Sequence, residues 1–212
     1  MGQSSLFVVT PAEDTSLVTL YEAKIALGVS TSTDETLNDL IELVIDWSSA
    51  EVAAVCNRSF AKETVTEVFR GVENSNRIFL SRYPVTNIES IDEDGGDALV
   101  EDTDYELDSN SGTLVRLDAA WLGPVTITYT GGYDLPFESP KALRQATLLM
   151  TREAYFAATR GDASIRMIGH RDARVIYFDP NAKGGGGGAD SGGSPARRAV
   201  GNLLKRFTRF EV

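Results

Sequence analysis

Past Asn57 the hydrophobic pattern of this chain changes its period from about 3.6 residues to about 2, and a helical pattern resumes only at Ser139. That change constrains the fold more than any one motif: a helical body must carry a β region inserted between its helices. Before the change, Leu37, Leu40, Ile41, Val44, Ile45, Ser48, Val52 and Val55 follow steps of three and four. They make one apolar stripe on a helix over 34–57, about 24 residues and ~36 Å long. Its start is marked by Ser32-Thr33-Asp34-Glu35, a capping box with acids in the first turn, where the helix dipole favours them. A shorter helix over 19–27 opens on a second box, Thr19-Leu20-Tyr21-Glu22, and stops at Gly28. The third helix, 140–160, begins at Ser139-Pro140, a cap followed by proline at the first helical position. Its apolar residues, from Leu143 to Ala157, cover most of its circumference, so it is expected to be buried nearly all round, between layers or between subunits.

Within the β region, 64–130, the expected strands are Thr64–Arg70, Arg77–Tyr83, Val85–Ile91, Ala98–Val100, Tyr105–Leu107, Thr113–Leu117 and Val125–Thr130. Turn-forming runs separate them, Asp94-Gly95-Gly96-Asp97 and Ser109-Asn110-Ser111-Gly112 among them. Val125, Ile127 and Tyr129 alternate with Thr126, Thr128 and Thr130, as in an antiparallel sheet with one buried face. Pro84 cannot donate to a ladder and belongs at a strand end or bulge. Residues 1–16 read as an N-terminal arm. After the third helix, 162–182 reads as a hairpin, with strands Ile165–Ile168 and Arg174–Phe178 around Gly169-His170-Arg171-Asp172. The fold class is therefore α+β: three main helices, an inserted antiparallel β region and a C-terminal extension.

Charge is laid unevenly along the chain. The 212 residues hold 20 Lys and Arg against 31 Asp and Glu, a net charge of −11. Residues 1–140 carry seven basic and twenty-five acidic side chains, a balance of −18, whereas 141–212 carry thirteen against six, a balance of +7. An acidic body would repel a DNA backbone, and an acidic body with a basic C-terminal third suits head-to-tail contact between copies or a search for an acidic partner. An uneven but merely solvated surface is the other reading. A hydrophobic content of 42% excludes global disorder, and no apolar run nears the ~20 residues of a membrane span. The first residues, MGQSSLFVVTPAED, lack a basic segment, so a secretory signal is not expected. The lone Cys56 allows no intramolecular disulfide and no multi-cysteine zinc site, and reads as a buried small hydrophobe.

No motif points to catalysis. His170 is the only histidine, lies among Arg166, Arg171 and Arg174, and has no nucleophile elbow near it. Asp92-Glu93-Asp94-Gly95-Gly96-Asp97 lacks the ligand spacing of a calcium loop and reads as an acidic turn. The glycines at 184–188 follow no strand and precede no GK[ST], so they form no phosphate loop. No catalytic residue, metal or cofactor is expected. Asp102, Asp104, Glu106 and Asp108 alternate, which places them on one wet strand face rather than in a carboxylate pair. The first three are candidates for an acidic channel wall or a contact between subunits. Arg160, Arg166, Arg171 and Arg174 are candidates for a contact with DNA phosphates or with an acidic neighbouring copy.

Residues 183–195 form a Gly/Ser linker. It tethers 196–212, in which Arg197, Arg198, Lys205, Arg206 and Arg209 face a single acid, and Val200, Leu203, Leu204 and Phe207 fall at helical spacing with Phe210 one step on. A basic amphipathic peptide this short is marginal until its apolar face finds a groove. Docking to another chain is favoured over folding back onto its own domain.

The order of these elements resembles the head–tail connector, or adaptor, proteins of tailed bacteriophages and of phage-derived particles such as gene transfer agents. The matching stretches are Leu17-Val18-Thr19-Leu20-Tyr21-Glu22-Ala23-Lys24, the long helix after Thr33-Asp34-Glu35, and Leu80-Ser81-Arg82-Tyr83-Pro84-Val85. To these add Asp104-Tyr105-Glu106-Leu107 with Gly112-Thr113-Leu114, 125–133, and Leu135-Pro136 leading into Pro140-Lys141-Ala142-Leu143. The resemblance covers 17–161, a connector domain, and implies a non-enzymatic subunit of a ring, usually twelve copies, beneath the portal at the capsid vertex. It implies a portal protein and a stopper or other neck protein as partners, and double-stranded DNA passing through the lumen without sequence-specific contact. It also implies docking of the C-terminal segment onto the portal, synthesis in the bacterial host cytoplasm, and residence in the particle's neck, with no membrane. The competing readings are a ring-forming DNA-packaging or DNA-binding subunit, which the −18 body disfavours, and a neighbouring stopper or tail terminator.

Overall fold

A computed structural model describes residues 3–72, 75–93, 96, 99–117, 119–159, 167–170, 173–176 and 195–209, with backbone alone for residue 3, 167–170, 173–176 and 195–198. The chain divides into two compact units. One is built on Ser16–Cys56 and the described part of Pro140–Thr208, the other on the N-terminal strand and Asn57–Ser139. The helical unit and the inserted β region of the sequence are thus separate bodies.

In the helical unit, α1 (Leu20–Leu27) starts on the expected capping box: Thr19 Oγ1 accepts from the Glu22 amide and the Glu22 carboxylate accepts from the Thr19 amide. Gly28 ends it at φ +77°, a left-handed C-cap that glycine adopts without penalty. The long helix α2 (Glu35–Cys56) is capped by Asp34, whose carboxylate accepts from the Thr36 and Leu37 amides. The box assigned to Ser32 and Glu35 is therefore displaced by a direct Asp cap two residues on. Asn57 closes α2 at φ +51°. Ile41, Val44, Ile45, Ser48, Val52 and Cys56 are buried as the stripe predicts, but Val55 is 51% exposed. The third helix, α3 (Lys141–Thr159), buries only Leu143, Ala146, Thr147 and Thr151 fully. Within one chain only a single stripe is covered, while Phe156 and Ala157 stay exposed, so of the two alternatives burial between layers of this chain does not hold. Val18, Ala23, Ile41 and Ile45 form the apolar centre, joined by Leu37, Leu148 and Tyr155. Arg144 and Glu22 pair at 2.9 Å, and the Lys24 ammonium donates to the Ser32 carbonyl and the Asn38 amide oxygen.

In the β unit, strands β1 (Gln3–Thr10), β2 (Glu63–Arg70), β4 (Val85–Glu93) and β7 (Val125–Gly131) form an antiparallel sheet in the order β1-β2-β7-β4. Strands β3 (Arg77–Phe79), β5 (Tyr105–Asp108) and β6 (Thr113–Arg116) form a second, in the order β3-β6-β5. The N-terminal arm is thus an edge strand, paired over its length with β2. Leu99 and Val100 form no strand, and the run Arg77–Tyr83 pairs only as far as Phe79 before turning at Pro84. Val65, Leu80, Leu114, Trp121, Val125, Ile127 and Tyr129 make the core, each large side chain worth about 2 kcal/mol on burial. On the opposite face Thr64 bonds Thr130 at 2.8 Å and Thr66 bonds Thr128 at 2.9 Å, a cross-strand threonine ladder.

Two further elements are described. The strands β8 (Met167–His170) and β9 (Ala173–Ile176) pair antiparallel, so Gly169 and His170 belong to the strand rather than to the turn assigned to them. The helix α4 (Pro195–Leu204) packs on α3. The linker 183–194 lies outside the described residues.

Candidate functional site

Among the described residues the candidate functional features are charged surfaces and one braced turn. Leu80-Ser81-Arg82-Tyr83-Pro84 is held by polar groups reaching up from the sheet. Glu67 is fully buried on β2, and its carboxylate accepts from the Ser81 hydroxyl at 2.6 Å, the Ser81 amide at 3.1 Å and the Tyr129 hydroxyl at 2.9 Å. The Tyr129 oxygen in turn accepts from the Ser81 and Arg82 amides, each at 3.0 Å. Burial, and then the charge of Glu67, push the Tyr129 phenol well above its usual range. Arg82 pairs with Glu63 at 2.7 Å, both side chains largely buried. Arg58 donates to the Tyr83 carbonyl and stacks 3.5 Å over the Tyr83 ring. Gly131 and Gly132 let the backbone close: a Cβ on either would collide with the Arg82 or the Ala61 carbonyl. Sequence reasoning missed Glu67, although its strand alternation placed it with Val65 and Phe69 on the core side.

The acidic candidates separate. Glu106 lies exposed on β5, an edge strand, but Asp102 stands before it in a turn at φ +64°. Asp104 also lies in that turn and its carboxylate accepts from the Val100 amide at 2.8 Å. The single wet strand face drawn for all of them is therefore corrected: a turn breaks the alternation after Asp104. Asp108 serves its own turn, accepting from the Ser111 hydroxyl at 2.6 Å and from the Asn110 amide, and that first bond draws its carboxyl below the usual range. Glu101, Asp102 and Glu106 remain exposed together near the buried Tyr105. Burial raises the Tyr105 phenol, and the charges of Glu101 and Asp102 add to the shift. In the acidic turn at 92–97, Glu93 is taken: it accepts from the Leu122 amide at 2.6 Å and pairs with Arg116 at 3.3 Å. Among the described residues no group of three or more His, Cys, Asp or Glu is placed to hold a metal ion. No described helix is long and apolar enough to cross a membrane.

Of the basic candidates, Arg160, Arg166 and Arg171 lie outside the described residues, and only the backbone of Arg174, in β9, is described. In the tail, the side chains of Arg197 and Arg198 and the whole of Phe210 are likewise outside them. Val200 and Leu204 are buried, at 7% and 1% exposure, with α4 lying on α3 of the same chain. Within this chain Val200 and Leu204 are thus covered, as the folded-back alternative has it. The reason is physical: a ten-residue helix gains most by covering the nearest apolar surface. Lys205 and Arg206 remain exposed, with Leu203, Phe207 and Arg209 half-buried.

The chain is thus α+β, its helical unit interrupted by a two-sheet unit whose buried polar groups brace one turn. The chain belongs to the head completion protein family, whose model matches residues 16–169. None of the curated proteins matches it. Among solved structures it is similar to a chain in the neck of an empty GTA particle computed with C6 symmetry. That chain is 16% identical with a TM-score of 0.59, the match covering 98% of this chain and 97% of that one. A chain in the neck of the native GTA particle computed with C12 symmetry is 18% identical, with coverages of 98% and 97% and a TM-score of 0.53. A chain from the virion of the native gene transfer agent particle is 16% identical, with coverages of 98% and 96% and a TM-score of 0.54. At these identities the likeness is one of fold.

Proposed function

We propose that this protein is a head–tail connector subunit in the neck of a tailed-phage or gene-transfer-agent particle. It forms a ring beneath the portal, links the DNA-filled head to the tail and contributes to the channel through which DNA passes. The observation that carries this reading is the match of the head completion family across both units of the chain. Fold likeness to neck chains over 98% of the length supports it, and the C12 symmetry of one of those necks supports twelve copies in the ring. The exposed Lys205 and Arg206, with Leu203, Phe207 and Arg209, are the proposed contact to an acidic surface of the portal. The exposed carboxylates Asp102 and Glu106 are proposed for the channel wall or for a contact between subunits. In a channel they would repel phosphate and keep DNA from sticking.

The test is removal of the protein from cells that produce the particle. The expected products are DNA-filled heads without tails, seen by electron microscopy. Heads empty of DNA would point to a packaging role instead, and tailed particles in normal number would overturn the proposal.

A further inference from the structure

The helical unit carries one outward stripe that this chain does not cover and a second that it covers only in part. On α2, Leu43, Trp47, Ala50 and Ala54 recur at steps of four, three and four on the face opposite the buried stripe. Leu43 is 44% exposed and Trp47 58%. Alternating steps of three and four average 3.5 residues, the spacing of a seam made for another helix. Single exposed apolar residues are ordinary, but an exposed tryptophan at the centre of such a seam marks an interaction surface. On α3, half-buried Leu149 and exposed Arg152 and Phe156 repeat the same steps, with the Arg152 guanidinium 5.8 Å over the Phe156 ring.

Charge decides what each seam can meet. The α2 helix, 35–56, has five acidic residues and no Lys, Arg or His. Asp39, Glu42 and Glu51 form no ion pair among the described residues. Two such faces brought together would set like charges against each other, which disfavours a two-fold α2–α2 contact. By contrast, α3 carries Lys141 and Arg152 against Glu153, with Arg144 taken by Glu22 of the same chain. The two faces are complementary and different, and both belong to one chain. A contact of that kind is head-to-tail, and when its rotation closes it generates a ring.

We infer that the α2 seam around Trp47 of one copy docks on the α3 seam around Arg152 and Phe156 of the next. This rests on the connector reading, which requires a ring but does not say which surfaces build it. Because both residues are exposed, substituting them leaves the folded unit intact. Cys56 is fully buried, so introduced cysteines are the reactive ones.

The experiment mixes Trp47→Cys and Phe156→Cys chains on the portal ring of the same particle and treats them with a short bis-maleimide. The expected product is a covalent heterodimer between the two variants, with neither variant dimerising alone. A chain carrying both cysteines should give a ladder of higher oligomers. Adding Glu42→Lys and Glu51→Lys to the Trp47→Cys chain should cut the heterodimer yield at least tenfold. Homodimers of Trp47→Cys alone would overturn the inference in favour of a two-fold contact. Absence of the heterodimer while the chains remain bound to the portal would overturn the inference and leave the connector reading standing. Absence of both binding and cross-links would remove the two together.

Discussion

Replacing Tyr129 with Phe removes one hydroxyl and leaves the ring in its core position, so it isolates the polar bracing of the Leu80–Pro84 turn. The Arg82 amide loses its acceptor at 3.0 Å, while the Ser81 amide keeps Glu67 at 3.1 Å. An orphaned N–H in a partly buried turn costs about 1–3 kcal/mol. Glu67 loses one of its three donors, a bond to a charged group worth about 1.5–3 kcal/mol. These losses share one network and do not add fully, so the expected destabilisation is about 3 kcal/mol. With a urea dependence of about 2 kcal/mol per molar, the midpoint should fall by about 1.5 M at unchanged slope. Trp121 is buried in the β unit while Trp47 is exposed in the helical one, so the fluorescence change on unfolding reports the unit that contains Tyr129. Tyr21→Phe, at a position 68% exposed, is the control and should leave the midpoint in place. A shift below about 0.5 M for Tyr129→Phe, equivalent to ~1 kcal/mol at that slope, would show that the turn does not depend on this bracing.

Three other outcomes follow from the same structure. Because burial and Glu67 raise the folded pKa of Tyr129, its contribution is fully present below the ordinary phenol value of about 10 and is lost as pH rises through the folded value; alkaline titration of stability should show that loss in the native chain and its reduction in Tyr129→Phe. Leu204→Asp should release α4 from α3, since a charge cannot replace a side chain 1% exposed, and trypsin should then cut at Lys205 and Arg206 well before the rest of the chain. Thr19→Ala should cost about 1 kcal/mol of stability in thermal unfolding, the usual worth of an N-cap whose side chain bonds the helix amides.

How far the sequence could be read depended on how local the cause was. The box at Thr19 and Glu22, the end of α1 at Gly28 and the buried stripe of α2 up to Val52 are set by neighbours within a few residues, and they were placed correctly. The strand β1 was read as an arm, because Leu6-Phe7-Val8-Val9 does not alternate and its partner β2 lies about sixty positions away. The inward turn of Glu67 is non-local too, since its partners come from Ser81 and Tyr129. Within one chain α3 is less covered than its apolar content suggests, because that content says that a surface will be covered without saying by which chain. For the tail the spacing leaves the same question open: Val200 and Leu204 have the spacing of a docking face, and in the single chain they are buried with α4 packed on α3.

The central claim is that copies of this chain assemble beneath a portal, and the most direct measurement is native mass spectrometry of the chain mixed with the portal ring from the same particle. Truncation before Pro195 would also strip the cover from α3, so the tail is better probed with Lys205→Glu and Arg206→Glu, which change exposed charges and leave Val200 and Leu204 seated. The account predicts a complex with about twelve copies per portal, the number proposed from the C12 neck, and its loss in the charge-reversed chain. A native chain that leaves the portal ring at its own mass would contradict it.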